Sequence, residues 1–464
     1  MTALHYLELT QLASCLRTRE LSPVEVTRAQ LARIAALDGS LASYARVIPE
    51  EALAQAERAE SEIAAGHYRG ALHGVPIGIK DLCWVKGVVS AAGMAIHRDF
   101  RPAEDATVVA RLAHAGAVIL GKLEMTEGAY SDHHPSVTPP KNPWNTAYWP
   151  GISSSGPAVA TAAGLCYGAV ASDTGGSIRW PCGANGLTGL KPTWGRVSRF
   201  GVFELAASLD HVGPIARSAA DAGALLRVMA GSDEKDPTSS LEPVPDYLGV
   251  IRQDLHGLRV GIDRQWNSED VDPSVQAVVR HAEALLRDLG ADLVETVVPD
   301  VDQAIMDWAE ACAVEAAVAH EATYPACKEQ YGAVLRSVLD RGSGLRGLQH
   351  QKIWVRRRDL RGRLARLFQT IDLLLAPVHP FAPLTLAEIR TLGEQAALVQ
   401  KLQRYTAPFN MTGSPTITLP GGFNEAGLPI GFQLIARDHD EGNLVRAGVA
   451  YQRVTDWHRR HPIE

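Results

Sequence analysis

The chain is sparing in the features that mark specialised protein classes. Its six cysteines (Cys15, Cys83, Cys166, Cys182, Cys312 and Cys327) are scattered, with no C-x-x-C pair. Neither a disulfide framework nor a zinc site is therefore expected, and the thiols should be reduced. No apolar run is long enough to span a bilayer; the longest weakly apolar stretch, Ala158 to Ala171, is too short and too rich in small residues. The segment Met1 to Glu8 has no basic region ahead of an apolar one, so no signal peptide is expected and a cytoplasmic location is. Charge of one sign is also missing. A net charge of -7 and a pI near 6.2 leave no electrostatic footprint for nucleic acid or an anionic membrane as partner. Internal repeats and low-complexity segments are absent, and 46% hydrophobic with 21% charged residues describes an ordinary compact protein.

What is present is an alternation of helical and strand patterns. Ser22-Pro23-Val24-Glu25 is a capping box with proline at the first helical position, predicting a helix over 23–37 with Val26, Ala29, Ile34 and Leu37 inward. A second helix is expected over 49–65. Val75 to Asp81 reads as a buried strand beginning near Pro76 and ending on two charges, which puts Lys80 at a strand end. A helix capped by Asp105 and running to His114 leads into a strand at 117–121. The segment 131–150 is rich in turns, and Tyr167 to Ser172 is a further strand. Asp233 to Pro245 reads as a polar seam. Beyond it a strand at 258–262, a helix at 275–289 and a strand at 291–297 make another α/β unit; helical sequence then fills 301–369. Strands near 371–376, 415–420 and 431–435 and helices at 386–405 and from Glu441 close the chain. This is an α/β pattern. Arg346 to Arg366 carries eight basic residues, but Ile353, Leu360, Leu364, Leu367 and Phe368 recur at helical spacing, so the charges read as the solvated face of an amphipathic helix.

The chemistry points to Asp173-Thr174-Gly175-Gly176-Ser177-Ile178-Arg179. A serine after two glycines at the end of a small-residue strand fits a nucleophile on a tight turn, because glycine backbone lets a substrate carbonyl approach and N–H groups converge on an oxyanion. A structural turn with a satisfied serine is the competing reading. A serine hydroxyl needs a base. None of the 16 histidines is singled out by its setting; His133 and His134 are neighbours, and His211 reads as structural. No G-x-S-x-G elbow occurs. Ser232-Asp233-Glu234-Lys235 fits S-x-x-K but lacks its companion motifs. Lys80 is the better base: burial that lowers its pKa by about 3 from about 10.4, near 4 kcal/mol, leaves it substantially neutral at pH 7. A surface lysine is the alternative.

Three separated segments, Gly-Val-Pro-Ile-Gly-Ile-Lys80-Asp, Gly151-Ile-Ser153-Ser-Ser-Gly and Asp173-Thr-Gly-Gly-Ser177-Ile-Arg, stand in this order. Gly189-Leu-Lys-Pro-Thr-Trp-Gly195-Arg and Ser208-Leu-Asp-His-Val-Gly-Pro-Ile215 follow, with Gly413-Ser-Pro and Gly427 to Leu434 near the end. Together they resemble the amidase signature family, densely over 20–230 and more loosely over 370–460. The resemblance implies a mixed central β-sheet covered by helices on both faces. It divides the chain into an N-terminal helical cap (1–70), a core with the triad (71–235), an α/β and helical insertion or cap (236–370) and a C-terminal part of the core (371–464). It also implies a Ser-cisSer-Lys triad: Ser177 as nucleophile, Ser153 as bridging serine and Lys80 as base, with the N–H groups of Thr174, Gly175, Gly176 and Ser177 as oxyanion hole. No metal or other cofactor is implied. Departures occur: Ile152, Ser155 and Pro157 replace two glycines and a serine, so a cis bond before Ser153 would be Ile-Ser, at about 3 kcal/mol. The activity implied is hydrolysis of a small amide, aryl amide or carbamate, with esters sharing the same chemistry. The alternative is the glutamine-hydrolysing subunit of a tRNA-dependent amidotransferase. Met125, Tyr130, Trp144 and Trp149 are candidates for the pocket wall, and a homodimer is an open option.

Overall fold

The structure, a computed structural model, describes residues 3–249 and 254–463. Its strands are β1 (Tyr44–Val47), β2 (Pro76–Lys80), β3 (Val118–Leu123), β4 (Gly168–Asp173), β5 (Thr188–Lys191), β6 (His211–Ala216), β7 (Arg259–Ile262), β8 (Asp292–Glu295), β9 (Leu373–Pro377), β10 (Thr416–Phe423) and β11 (Pro429–Ala436). They form one 11-stranded sheet in the order β1-β3-β2-β4-β6-β5-β10-β11-β9-β7-β8. The sheet is mixed. β2 pairs parallel with β3 and β4, and β7 with β8 and β9, whereas β6, β5, β10 and β11 run antiparallel to their neighbours. Every residue of β2, β3, β4 and β6 is buried, so both faces of the sheet's centre are covered, which suits short apolar runs without alternation. Edge strand β8 is exposed at both ends.

Most expected elements are present, and the differences have local causes. The helix Pro23–Leu41 is capped by Ser22, whose Oγ accepts from the amides of Val24 and Glu25 at 3.1 and 3.2 Å. It runs past residue 37, and Ala29 faces outward. Asp105 does not cap Thr107–His114; its carboxylate accepts the Lys86 amide at 2.7 Å instead. The helix expected over 386–405 is two, Leu386–Gly393 and Ala396–Gln403. Leu9–Thr18, β6 and the helix Arg179–Asn185 were not foreseen as elements; Pro214 inside β6 and Pro181 inside the helix hide them, since proline ordinarily interrupts both.

The basic helix is Gly347–Thr370, with Ile353, Leu360, Leu364 and Phe368 buried beneath it. One arginine departs from the solvated face: Arg357 turns inward and donates to Ser208 Oγ at 2.6 Å and to the carbonyls of Ser208 and Met411, both at 2.5 Å. Among the described residues no helix is long and apolar enough to cross a membrane.

Candidate active site

The parallel pairing of β2 with β4, Gly78 opposite Ala169 and Ile79 opposite Val170, brings two strand ends together. One carries Lys80 and the other Ser172 and Asp173. Lys80 is fully buried, and its Nζ lies 2.8 Å from Ser153 Oγ, 2.8 Å from Ser154 Oγ and 2.9 Å from Ser172 Oγ. Ser154 Oγ in turn donates to the Ser172 carbonyl at 3.1 Å. The Ile152–Ser153 peptide bond is cis. Burial pushes the Lys80 pKa down to about 7, against a smaller opposing pull from nearby groups, Asp173 and Asp210 among them. Lys80 is therefore the buried lysine the sequence suggested, with hydroxyls in place of a counter-ion.

The glycine turn is built on Asp173. Its carboxylate accepts from the amides of Gly176 (2.9 Å) and Ile178 (3.0 Å), from Arg179 Nε (3.0 Å) and Nη2 (2.8 Å), and from Asn410 Nδ2 (2.9 Å). Burial alone would raise this carboxyl, but the Arg179 guanidinium, then Lys191 and Asn410, hold it well below the usual carboxylate range. The glycines are required by their neighbours. A Cβ on Gly175 would stand 2.3 Å from the Trp308 indole; one on Gly176, where φ is +143°, would stand 2.5 Å from Trp180. Trp308 Nε1 donates to the Thr174 carbonyl at 2.7 Å and Thr174 Oγ1 donates to Asp210 at 2.6 Å, so the turn is tied from both sides. Ser177 lies on it, 7% exposed. The Gly176 N–H, one of the four amides expected at the oxyanion hole, donates to Asp173 in this structure, because a carboxylate three residues back offers it a charged acceptor at once.

His211, on the next strand, points Nδ1 at the Leu209 carbonyl at 2.7 Å, and burial holds its pKa well below the ordinary value. His133 meets Ser155 Oγ at 3.1 Å. Neither hydrogen-bonds Lys80 or Ser153.

A cleft of about 960 Å³ opens beside the turn and is lined by Trp308, Tyr130, Gln303, Arg341, Lys352 and Val399 among others. Trp308 belongs both to this wall and to the contact with Gly175. Of the four residues expected to line a pocket, Tyr130 lines this cleft and Trp149 lines a separate hollow with His379, Phe381 and Leu402. Trp149 stands behind the turn, its ring 6.3 Å from that of Trp180. Met125 is fully enclosed in the core. Trp144 donates to the Asn185 carbonyl at 3.0 Å and packs on Phe423, ring centroids 5.0 Å apart. The last two are packing residues because nearby apolar groups and a carbonyl satisfy them away from the cleft. Sequence reasoning passed over Ser154 and Ser172 as partners of Lys80, and Asn410 and Trp308 as supports of the turn. The serines sat inside motifs already singled out; the other two carry no local signal.

Residues 25–445 match the model of the Amidase family. A Mycobacterium tuberculosis protein named "Putative amidase AmiD" is 51% identical over 461 residues, covering 99% of this chain and 96% of that protein. A glutamyl-tRNA(Gln) amidotransferase subunit of Chloroflexus aggregans is 38% identical over 489 aligned positions, covering 100% of this chain and 99% of that one. Among solved structures, 6-aminohexanoate cyclic dimer hydrolase in complex with its substrate superposes with a TM-score of 0.89 at 26% identity, covering 99% of both chains.

Proposed function

The chain belongs to the amidase family and is a serine amidohydrolase of the amidase signature type; on that premise we propose that it cleaves the C–N bond of a small amide, aryl amide or carbamate through an acyl-enzyme on Ser177. The observation that carries this reading is Lys80: buried, without a carboxylate in contact, and 2.8 Å from Ser153 Oγ. Neutral Lys80 takes the proton of Ser153, and Ser153 takes that of Ser177 as Ser177 Oγ attacks the carbonyl carbon. The oxyanion that forms is held by the amides of Thr174, Gly175 and Ser177. The tetrahedral species then collapses; the amine leaves with a proton returned from Lys80 through Ser153. Water enters and is deprotonated along the same relay, freeing the acid.

The cleft bounded by Trp308 and Tyr130 adjoins the turn through Trp308, which packs on Gly175, and its mixture of indole, phenol, glutamine and guanidinium groups suits a molecule with an apolar body and polar ends. Full-length similarity to a protein named as an amidase, at 51% identity, favours a free-standing hydrolase over a glutamine-hydrolysing subunit, which requires a partner.

A panel of amide, carbamate and ester substrates tests the reading on wild type, Ser177→Ala and Lys80→Ala. Turnover of one class by wild type, with loss in both variants, is expected. Wild-type turnover in both variants would show the triad to be wrong, and ammonia release from glutamine only with an added partner would point to the amidotransferase role.

A further inference from the structure

The hydroxyls around Lys80 allow its protons to be counted. A neutral amine has two N–H bonds and one lone pair, an ammonium three N–H bonds, and three oxygens at 2.8, 2.8 and 2.9 Å surround Nζ. Ser154 has given its own proton to the Ser172 carbonyl, 3.1 Å away, so toward Lys80 it can only accept. Ser172 and Ser153 then share the remaining N–H and the lone pair. Base catalysis requires the lone pair to face the hydroxyl that surrenders its proton.

We propose that Ser154 and Ser172 are positioning residues: they accept the two N–H bonds of neutral Lys80 and so turn its lone pair onto the hydroxyl hydrogen of Ser153. The inference rests on the relay proposed above. In the step itself the Ser153 O–H bond breaks as an N–H bond forms on Lys80, while Ser153 receives the proton of Ser177 and Ser177 Oγ bonds the carbonyl carbon. Lys80 becomes an ammonium whose three N–H bonds meet the same three oxygens. Both protonation states are thus satisfied without moving a heavy atom, which is the form preorganisation takes for a proton acceptor. When the amine departs, the proton returns by the same bonds. The charged and titratable groups facing Lys80 are Cys83 just beyond β2, Asp173 at the end of β4 and Asp210 ahead of β6; substitution of either serine leaves all three in place.

The test compares Ser154→Ala and Ser172→Ala in the full-length enzyme, measuring kcat and KM from pH 5 to 9 on the amide or carbamate turned over best by wild type. A free-swinging lone pair should lower kcat by about 10- to 100-fold and leave KM within about twofold, since neither serine holds substrate. The acid limb should move to lower pH, because an ammonium deprived of an acceptor is disfavoured against the amine. Ser154→Thr, which keeps the hydroxyl, should recover most of the loss. If Ser172→Ala melts below the assay temperature, Ser172→Cys, similar in size but a weak acceptor, should show the same loss and the same shift. Wild-type kcat in the alanine variants, or a loss confined to KM, would overturn the assignment. So would an acid limb moved to higher pH in Ser172→Ala, which would mean that Ser172 donates to the lone pair. Activity in Lys80→Ala would instead sink the relay itself, whereas an inactive Lys80→Ala beside unaffected serine variants would sink this inference alone.

Discussion

Lys80 and Lys122 are buried side by side on neighbouring strands, β2 and β3, where Ile79 stands opposite Lys122 and Lys80 opposite Leu123. Both are fully enclosed. They differ in what meets the ammonium. Lys122 Nζ lies 3.1 Å from Asp81 Oδ1 and also donates to the Asp81 carbonyl at 3.0 Å and to Ser90 Oγ at 2.7 Å. Burial lowers its pKa too, but Asp81 works against the shift. At Lys80 the contacts are three hydroxyls, and burial takes the pKa down to about 7. The same residue type at the same depth is therefore ion-paired in one place and surrounded by hydroxyls in the other, which suits Lys80 to the proton-transfer role proposed for it. Desolvation supplies the push in both, and a contact carboxylate decides whether it is resisted.

The contrast is broken most severely by removing each lysine in turn. Lys80→Ala should reduce kcat/KM by about 10²- to 10⁴-fold, the scale of a general base, with a stability loss set by the cavity and the three hydroxyls left without their partner, since no buried carboxylate is stranded. Lys122→Met should do the reverse. It leaves the Asp81 carboxylate buried without its cation and should lower unfolding free energy by about 3–5 kcal/mol, while the folded fraction keeps most of its turnover. Denaturant titration reads the second effect, and Lys122→Met combined with Asp81→Asn should restore much of it. A Lys122→Met enzyme as stable as wild type would end the distinction between the two lysines.

The two regions were unequally legible in the sequence. Ser177 on its glycine turn and Lys80 at a strand end could be singled out as candidates from their settings, while the resemblance to the amidase signature family supplied Ser153 and the roles of all three. The strand ending at Lys80 could be placed because Pro76 marks its start and apolar residues fill it. The counterpart was not foreseen: nothing near Asp81 says that a lysine on the next strand will reach it. Register between β2 and β3 decides that pairing, and register is a tertiary property. For the same reason Trp308 and Asn410, which brace the glycine turn from distant parts of the chain, were not visible. β6 was hidden by Pro214. The elements read correctly are those whose boundaries are set by local chemistry, such as the Ser22 cap; the pocket wall depends on which distant side chains close over it, so only Tyr130 of four was placed on the cleft.

A gentler probe leaves the sequence untouched. Because Lys80 must be neutral to act, and its pKa is pushed down to about 7, kcat/KM should rise through pH 7 and level off above it. At pH 6 it should be about tenfold below the plateau. An activity already maximal at pH 5 would mean that Lys80 is not the group that titrates.

The smallest effect is expected from Cys83→Ala, and it bears on the comparison because the thiol lies within electrostatic reach of both lysines. If Cys83 were a thiolate it would be the missing anion of the Lys80 pocket, and the two lysines would differ in degree alone. Burial pushes the thiol up to about 12, however, so it stays neutral over the whole range in which Lys80 gains and loses its proton. Its pull on Lys80 is therefore absent at working pH. Removing the sulfur should leave the acid limb of kcat/KM within about 0.2 pH unit of wild type and cost only about 1 kcal/mol of packing. A limb moved down by a full pH unit would expose an ion pair at Lys80 after all, and the hydroxyl shell would no longer explain why this lysine can serve as a base.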